Sequence, residues 1–172
     1  MSTRCFSLCV SAALALAAGV LVGCRQDAPT PAGPTVELAL IAGADHGGRP
    51  LSTGMTQEVT AIPEWQGDAD GSGAALITLN EGQAEVCWDL SASNITLPAT
   101  ASHIHAAPPG VRGAIVVFLS APDAAGRAVG CTSGVDRGLI RDILKNPESY
   151  YVNVHTTDFP PGAVRGQLPR SR

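Results

Sequence analysis

Apolar residues in this chain fall mostly in short alternating runs bounded by glycine and proline. In "AEVCWDLSA", Ala84, Val86, Trp88 and Leu90 share one face of an extended strand, and Glu85, Cys87 and Asp89 share the other. Side chains alternate across a strand, so this pattern sets one face against a core. "AALITLN" precedes it, and the Glu81-Gly82 pair between them predicts a hairpin. "ASHIHAA" repeats the alternation, with Ile104 on one side and His103 and His105 on the other. "GAIVVFLS" is apolar throughout and reads as a buried central strand, and Gly126 and Gly130 read as a turn before Cys131. "YYVNVHT" and "AVRGQL" complete the strands, with Val152 and Val154 facing away from Tyr151, Asn153 and His155.

One segment changes period. "DRGLIRDILKN" places Leu139, Ile140, Ile143 and Leu144 at helical spacing, with Asp136 as N-cap and a stop near Asn146 because Pro147 follows. "VELALI" (residues 36–41) reads as a first strand, residues 42–63 as a long loop, and "GDADGSG" as a turn. Short strands at turn-rich spacing with one short helix predict an all-β antiparallel Greek-key sandwich or barrel.

The N-terminus changes the compartment. Arg4 precedes the apolar run Leu8 to Val22, which ends at Gly23-Cys24. That is a secretory pattern, and the small residue before cysteine resembles a lipobox. Residues 1–23 are expected to be a lipoprotein signal peptide, Cys24 the lipidated residue, and "RQDAPTPAGPT" an extended tether running to about residue 35. The β domain is then expected over 36–168, with 169–172 as a tail. The absence of aspartate after Cys24 resembles the signal for outer-membrane delivery in Gram-negative cells. Removing the leader takes only Arg4 among the charged residues, leaving ten basic against fifteen acidic, a net charge of about −5. No basic patch points to nucleic acid, and the membrane link would be the lipid alone.

Cysteine usage agrees. Cys5 and Cys9 leave with the signal peptide and Cys24 carries lipid, so Cys87 and Cys131 remain as an even pair in an oxidising compartment. A disulfide between them is expected, with two buried free thiols as the alternative. No C-x-x-C spacing supports a metal thiolate site.

The specific stretches "ATASHIHAAPPGVRGAIVVFL" and "NPESYYVNVHTTDFPPGAVRGQL" resemble the chordin-type domain, CHRD, with "EVTAIPEW…GSGAALITL" and "VCW" as looser matches. The resemblance spans about residues 35–168. It implies fold and compartment more than function: an exported β domain with no attached catalytic activity. In animals such domains occur in an extracellular antagonist of growth-factor signalling. This chain departs from the family where glycine usually follows H-x-H: it has Ala106-Ala107-Pro108-Pro109, so a different turn is expected there.

Three of the four histidines lie in these stretches. His103, His105, Asn153, His155, Thr156 and Arg165 are expected to form a polar cluster that hydrogen-bonds across strands and fixes their register. The planar fork of Arg165 suits loop carbonyls or a carboxylate. The alternative is that His103, His105 and His155 hold copper or zinc, since histidines at i and i+2 share a strand face. An exported sandwich with H-x-H also looks somewhat like the copper-zinc superoxide dismutases, whose ligand set needs more histidines than this chain has. A metal-dependent redox enzyme is the third class. Other motifs carry less: "DADGSG" lacks the acidic residue a calcium loop needs, having Leu79 there, and no G-x-S-x-G occurs. Trp65 and Trp88 are expected in the core. The sequence therefore favours a non-catalytic envelope module whose protein partner it does not identify.

Overall fold

The computed structural model describes residues 47–170. The expected signal peptide, Cys24, the tether and the strand over 36–41 lie outside the described residues. Eight strands form one antiparallel sheet: β1 (Arg49–Gln57), β2 (Ser72–Asn80), β3 (Glu85–Ser93), β4 (Ala101–Ala106), β5 (Ala114–Leu119), β6 (Arg127–Ser133), β7 (Tyr150–His155) and β8 (Val164–Gln167). Their order is β5-β4-β7-β8-β1-β2-β3-β6, and the sheet curls into a nearly closed barrel. The two end strands, β5 and β6, line a cleft of about 350 Å³ between Val116, Phe118, Thr132 and Val135. Across that cleft the order β3-β6-β5-β4 is the Greek-key arrangement expected.

The alternating runs supply the interior. Ile77, Leu79, Val86, Leu90, Ile104, Val152, Val154 and Val164 are buried together. The one α-helix among the described residues, α1 (Arg137–Lys145), adds Ile140 and Ile143 to the same core. Asp136 caps it as its sequence suggests, its side chain accepting from the Leu139 N–H at 2.8 Å. Trp88 lies in the core and donates its indole N–H to Ser120 Oγ at 2.9 Å. Cys87 and Cys131 face each other in the β3–β6 register and form the disulfide.

Four expectations are corrected. β1 occupies the segment expected to be loop. Pro50 and Gly54 resemble breakers, yet β8 pairs only with Thr56 and Gln57. Among the described residues no strand pairs with Pro50 on that side of β1, so the missing N–H costs no bond to a second neighbour there. "GAIVVFLS" forms an end strand, not a central one. Its outward apolar positions are exposed at Ile115 and Phe118, and Phe118 packs edge-on against His103, 5.3 Å between ring centroids. Gly130 is no turn: it lies inside β6 opposite Trp88, where a Cβ would approach the indole to 2.6 Å. Trp65 is on the surface, 40 % exposed.

Candidate functional site

The outward face of β4, β7 and β8 carries the polar residues, and loops cover it. In the β4–β7 register His103 faces Asn153 and His105 faces Tyr151. In the β7–β8 register Asn153 faces Arg165. Alternation sends Ile104, Val152 and Val154 inward, so the intervening side chains converge outside the barrel wall. Tyr151, Asn153, His105, His155 and Arg165 are nevertheless buried, and His103 is half-buried.

Arg165 ties down the cover. Its fork donates to the carbonyls of Val111 and Pro108, both at 2.8 Å, and to Gln167 Oε1 at 2.9 Å. Its guanidinium lies 3.3 Å from the Tyr151 ring centroid, and the other face of cluster packing is aromatic too: His105 stacks on Tyr151 at 4.8 Å. Gln167 adds a bond to the Ala107 carbonyl at 2.8 Å. The turn after H-x-H is thus held from beneath by β8. A second loop joins it, since the Ala61 N–H donates to the Gly110 carbonyl at 3.2 Å and Arg112 lies 4.5 Å over the Trp65 ring.

The third loop, residues 156–163, is fixed by its own contacts. Thr156 closes a turn by accepting from the Phe159 N–H at 3.1 Å, so its hydroxyl serves that turn and not the histidines. Glu58, in the segment expected to be loop, is buried under it. Asn153 Nδ2 donates to Glu58 Oε2 at 3.1 Å. Gly162, at φ +141°, lets the backbone pass over that carboxylate, because a Cβ there would stand 1.7 Å from Oε2. Only the block "EVTAIPEW" marked Glu58 in the sequence; no periodicity did. Tyr151 was legible as an outward residue but not as the ring on which Arg165 and His105 pack.

His103 and His105 share a face as their spacing suggested, and the pairing of β7 with β4 brings His155 to them. One ring nitrogen from each lies within 4.8 Å of one from each of the others. His155 Nδ1 faces the Pro160 carbonyl and His105 Nδ1 the Gly113 carbonyl, both at 2.9 Å. A carbonyl only accepts, so both Nδ1 atoms carry the proton and both Nε2 atoms present a lone pair. His155 Nε2 stands 3.1 Å from His103 Nδ1 and 3.1 Å from Asn153 Oδ1. His105 Nε2 is buried and has no hydrogen-bond partner among the described residues, while the neighbouring Asn153 side chain favours the charged form of the ring.

Electrostatics keep the rings neutral. Burial, and then the neighbouring His155 and His105, lower His103 from 6.5 to about 4. Burial also lowers His105 and His155 against the bonds to their carbonyls. Burial raises the Glu58 carboxyl, opposed by Asn153, Arg165 and Arg112. Burial lowers Arg165, opposed by Tyr151 and Glu58.

A second grouping of Glu85, Cys87 and Cys131 has its sulfurs in the disulfide and offers no thiolate. No helix among the described residues is long and apolar enough to cross a membrane. A family model described as the CHRD domain matches residues 51–168. No curated protein and no solved structure matches the chain significantly.

Proposed function

The chain belongs to the CHRD-domain family, and from that premise we propose that it is a non-catalytic interaction module displayed at the cell envelope. In this reading Cys24 carries the lipid that anchors it, in the outer membrane where the cell is Gram-negative, and residues 25–35 space the domain from the bilayer. The disulfide supports the compartment, because such bonds persist outside reducing cytosol.

One observation carries the interaction reading. The two joined loops expose Val59, Ile62, Trp65 and Val111, and the cluster beneath holds them to the sheet. Exposed apolar side chains on fixed loops, with a stacked Trp–Arg pair, are what a protein-binding surface uses. Arg112 beside Trp65 suits a partner that offers apolar side chains and a carboxylate.

A photo-crosslinking residue at Ile62 or Val111, in the full chain in its native host, tests this. A discrete adduct is expected, reduced at least several-fold by Trp65→Ala with Arg112→Ala. No adduct from either position, or one indifferent to both substitutions, overturns the reading.

A further inference from the structure

We propose that His103, His105 and His155 bind one late first-row transition-metal ion, copper or zinc, on the covered face of β4 and β7. The argument is a count of lone pairs and protons. His155 Nε2 and His105 Nε2 are both bare, because their Nδ1 protons are committed to the Pro160 and Gly113 carbonyls. Asn153 turns its Nδ2 to Glu58, which leaves Oδ1 directed at His155 Nε2 at 3.1 Å, acceptor against acceptor. His105 Nε2 finds no donor among the described residues. Three buried acceptors therefore have one proton to share, that on His103 Nδ1, which His155 Nε2 takes at 3.1 Å. A buried acceptor without a donor is costly. A cation in place of that proton satisfies both imidazole nitrogens and sets a positive charge beside Asn153 Oδ1.

The spacing suits such an ion. Two imidazole nitrogens, each about 2.0–2.1 Å from a tetrahedral ion, stand roughly 3.3 Å apart. His103 Nδ1 and His155 Nε2 are already 3.1 Å apart, and one ring nitrogen from each of the three histidines lies within 4.8 Å of the other two. The Nδ1–carbonyl bonds of His105 and His155 are the outer contacts that fix ring orientation in metal sites. Neutral imidazoles select copper and zinc over magnesium or calcium, with copper the tighter. Asn153 and Glu58 act as positioning residues. His103, half-buried beside the exposed Phe118, gives the ion its way in.

The test uses the full chain, purified in detergent, stripped with chelator and titrated separately with Zn²⁺ and Cu²⁺ by calorimetry. One ion per chain is expected, with Cu²⁺ tighter. His46→Ala should leave binding intact. Glu58→Gln keeps an acceptor for Asn153 Nδ2 and should weaken binding only modestly. Substitution of buried His105 or His155 can disturb the fold, so the half-buried His103→Ala carries the comparison, with its circular dichroism as control. It should lose more affinity than Glu58→Gln. Electron paramagnetic resonance of the Cu²⁺ form should show coupling to three imidazole nitrogens, reduced to two in His103→Ala. No saturable binding of either ion overturns the proposal. So does binding that survives intact in folded His103→Ala, or a copper spectrum without nitrogen coupling.

Discussion

The histidines set how this domain responds to acid. Their folded pKa values lie below the ordinary value, so between the two the unfolded chain binds more protons than the folded one. Stability of the metal-free protein is expected to fall as pH drops through about 6.5 and to keep falling toward about 4, where His103 takes its proton in the folded state. Glu58 works in the opposite sense. Its raised pKa means the folded state takes up its proton first on acidification, which offsets part of the loss at the lower end. Urea denaturation at pH 7.5, 6 and 5 measures the slope, and His103→Gln should flatten it. Stability that is unchanged or rises from pH 7.5 to 5 would contradict the assignment of neutral rings. Much of this was legible beforehand: two histidines at i and i+2 must share a strand face, and a planar fork flanked by glycines had carbonyls as its natural partners. Glu58 was not legible, because only the passage of the Gly162 loop over it makes it part of the cluster.

Among the strands and the helix, legibility followed the strength of the local signal. The β2–β3 hairpin and α1 each combine a clear period with a turn or cap, and both formed where they were read. β1 has only Leu51 and Met55 buried deeply toward the core, with Pro50 and Gly54 between and beside them, so its place in the sheet comes from pairing with β2 rather than from its own pattern. β5 misled in the other direction, since an apolar run does not say whether its outward half meets a neighbouring layer or a single histidine ring. The β3–β6 pair is where covalent restraint enters. Cys87 and Cys131 close a loop of 44 residues, so the Cys87→Ala/Cys131→Ala double variant is expected to lose about 2–4 kcal/mol of unfolding free energy while keeping the fold. Equilibrium denaturation measures this, and a loss below about 0.5 kcal/mol would show that the ladder alone holds β6.

Taken together, the barrel is a support and the loops over one of its walls are the surface it presents. The core made by Ile77, Leu90, Ile104, Val152 and their neighbours needs no polar cluster to close it. The cluster instead couples the wall to loops 58–67, 107–113 and 156–163 through Arg165, Asn153, Glu58 and the three histidines. Both the proposed interaction surface and the proposed metal site depend on that coupling. The sequence placed the cluster on a strand face but gave no sign that loops would bury it, because burial there depends on contacts between segments over fifty residues apart, such as Arg165 with Pro108 and Val111.

Hydrogen exchange tests the coupling most directly. In the full chain, the amides of Ala61 and Val111, which donate to the Gly110 and Pro108 carbonyls, should be protected well above the rate of open loops. Arg165→Lys keeps a charge but cannot reproduce the fork. It should remove most of that protection, while amides of β2 and β3 stay protected as before. Loop amides that exchange freely in the unsubstituted chain, or protection that Arg165→Lys leaves unchanged, would contradict the account.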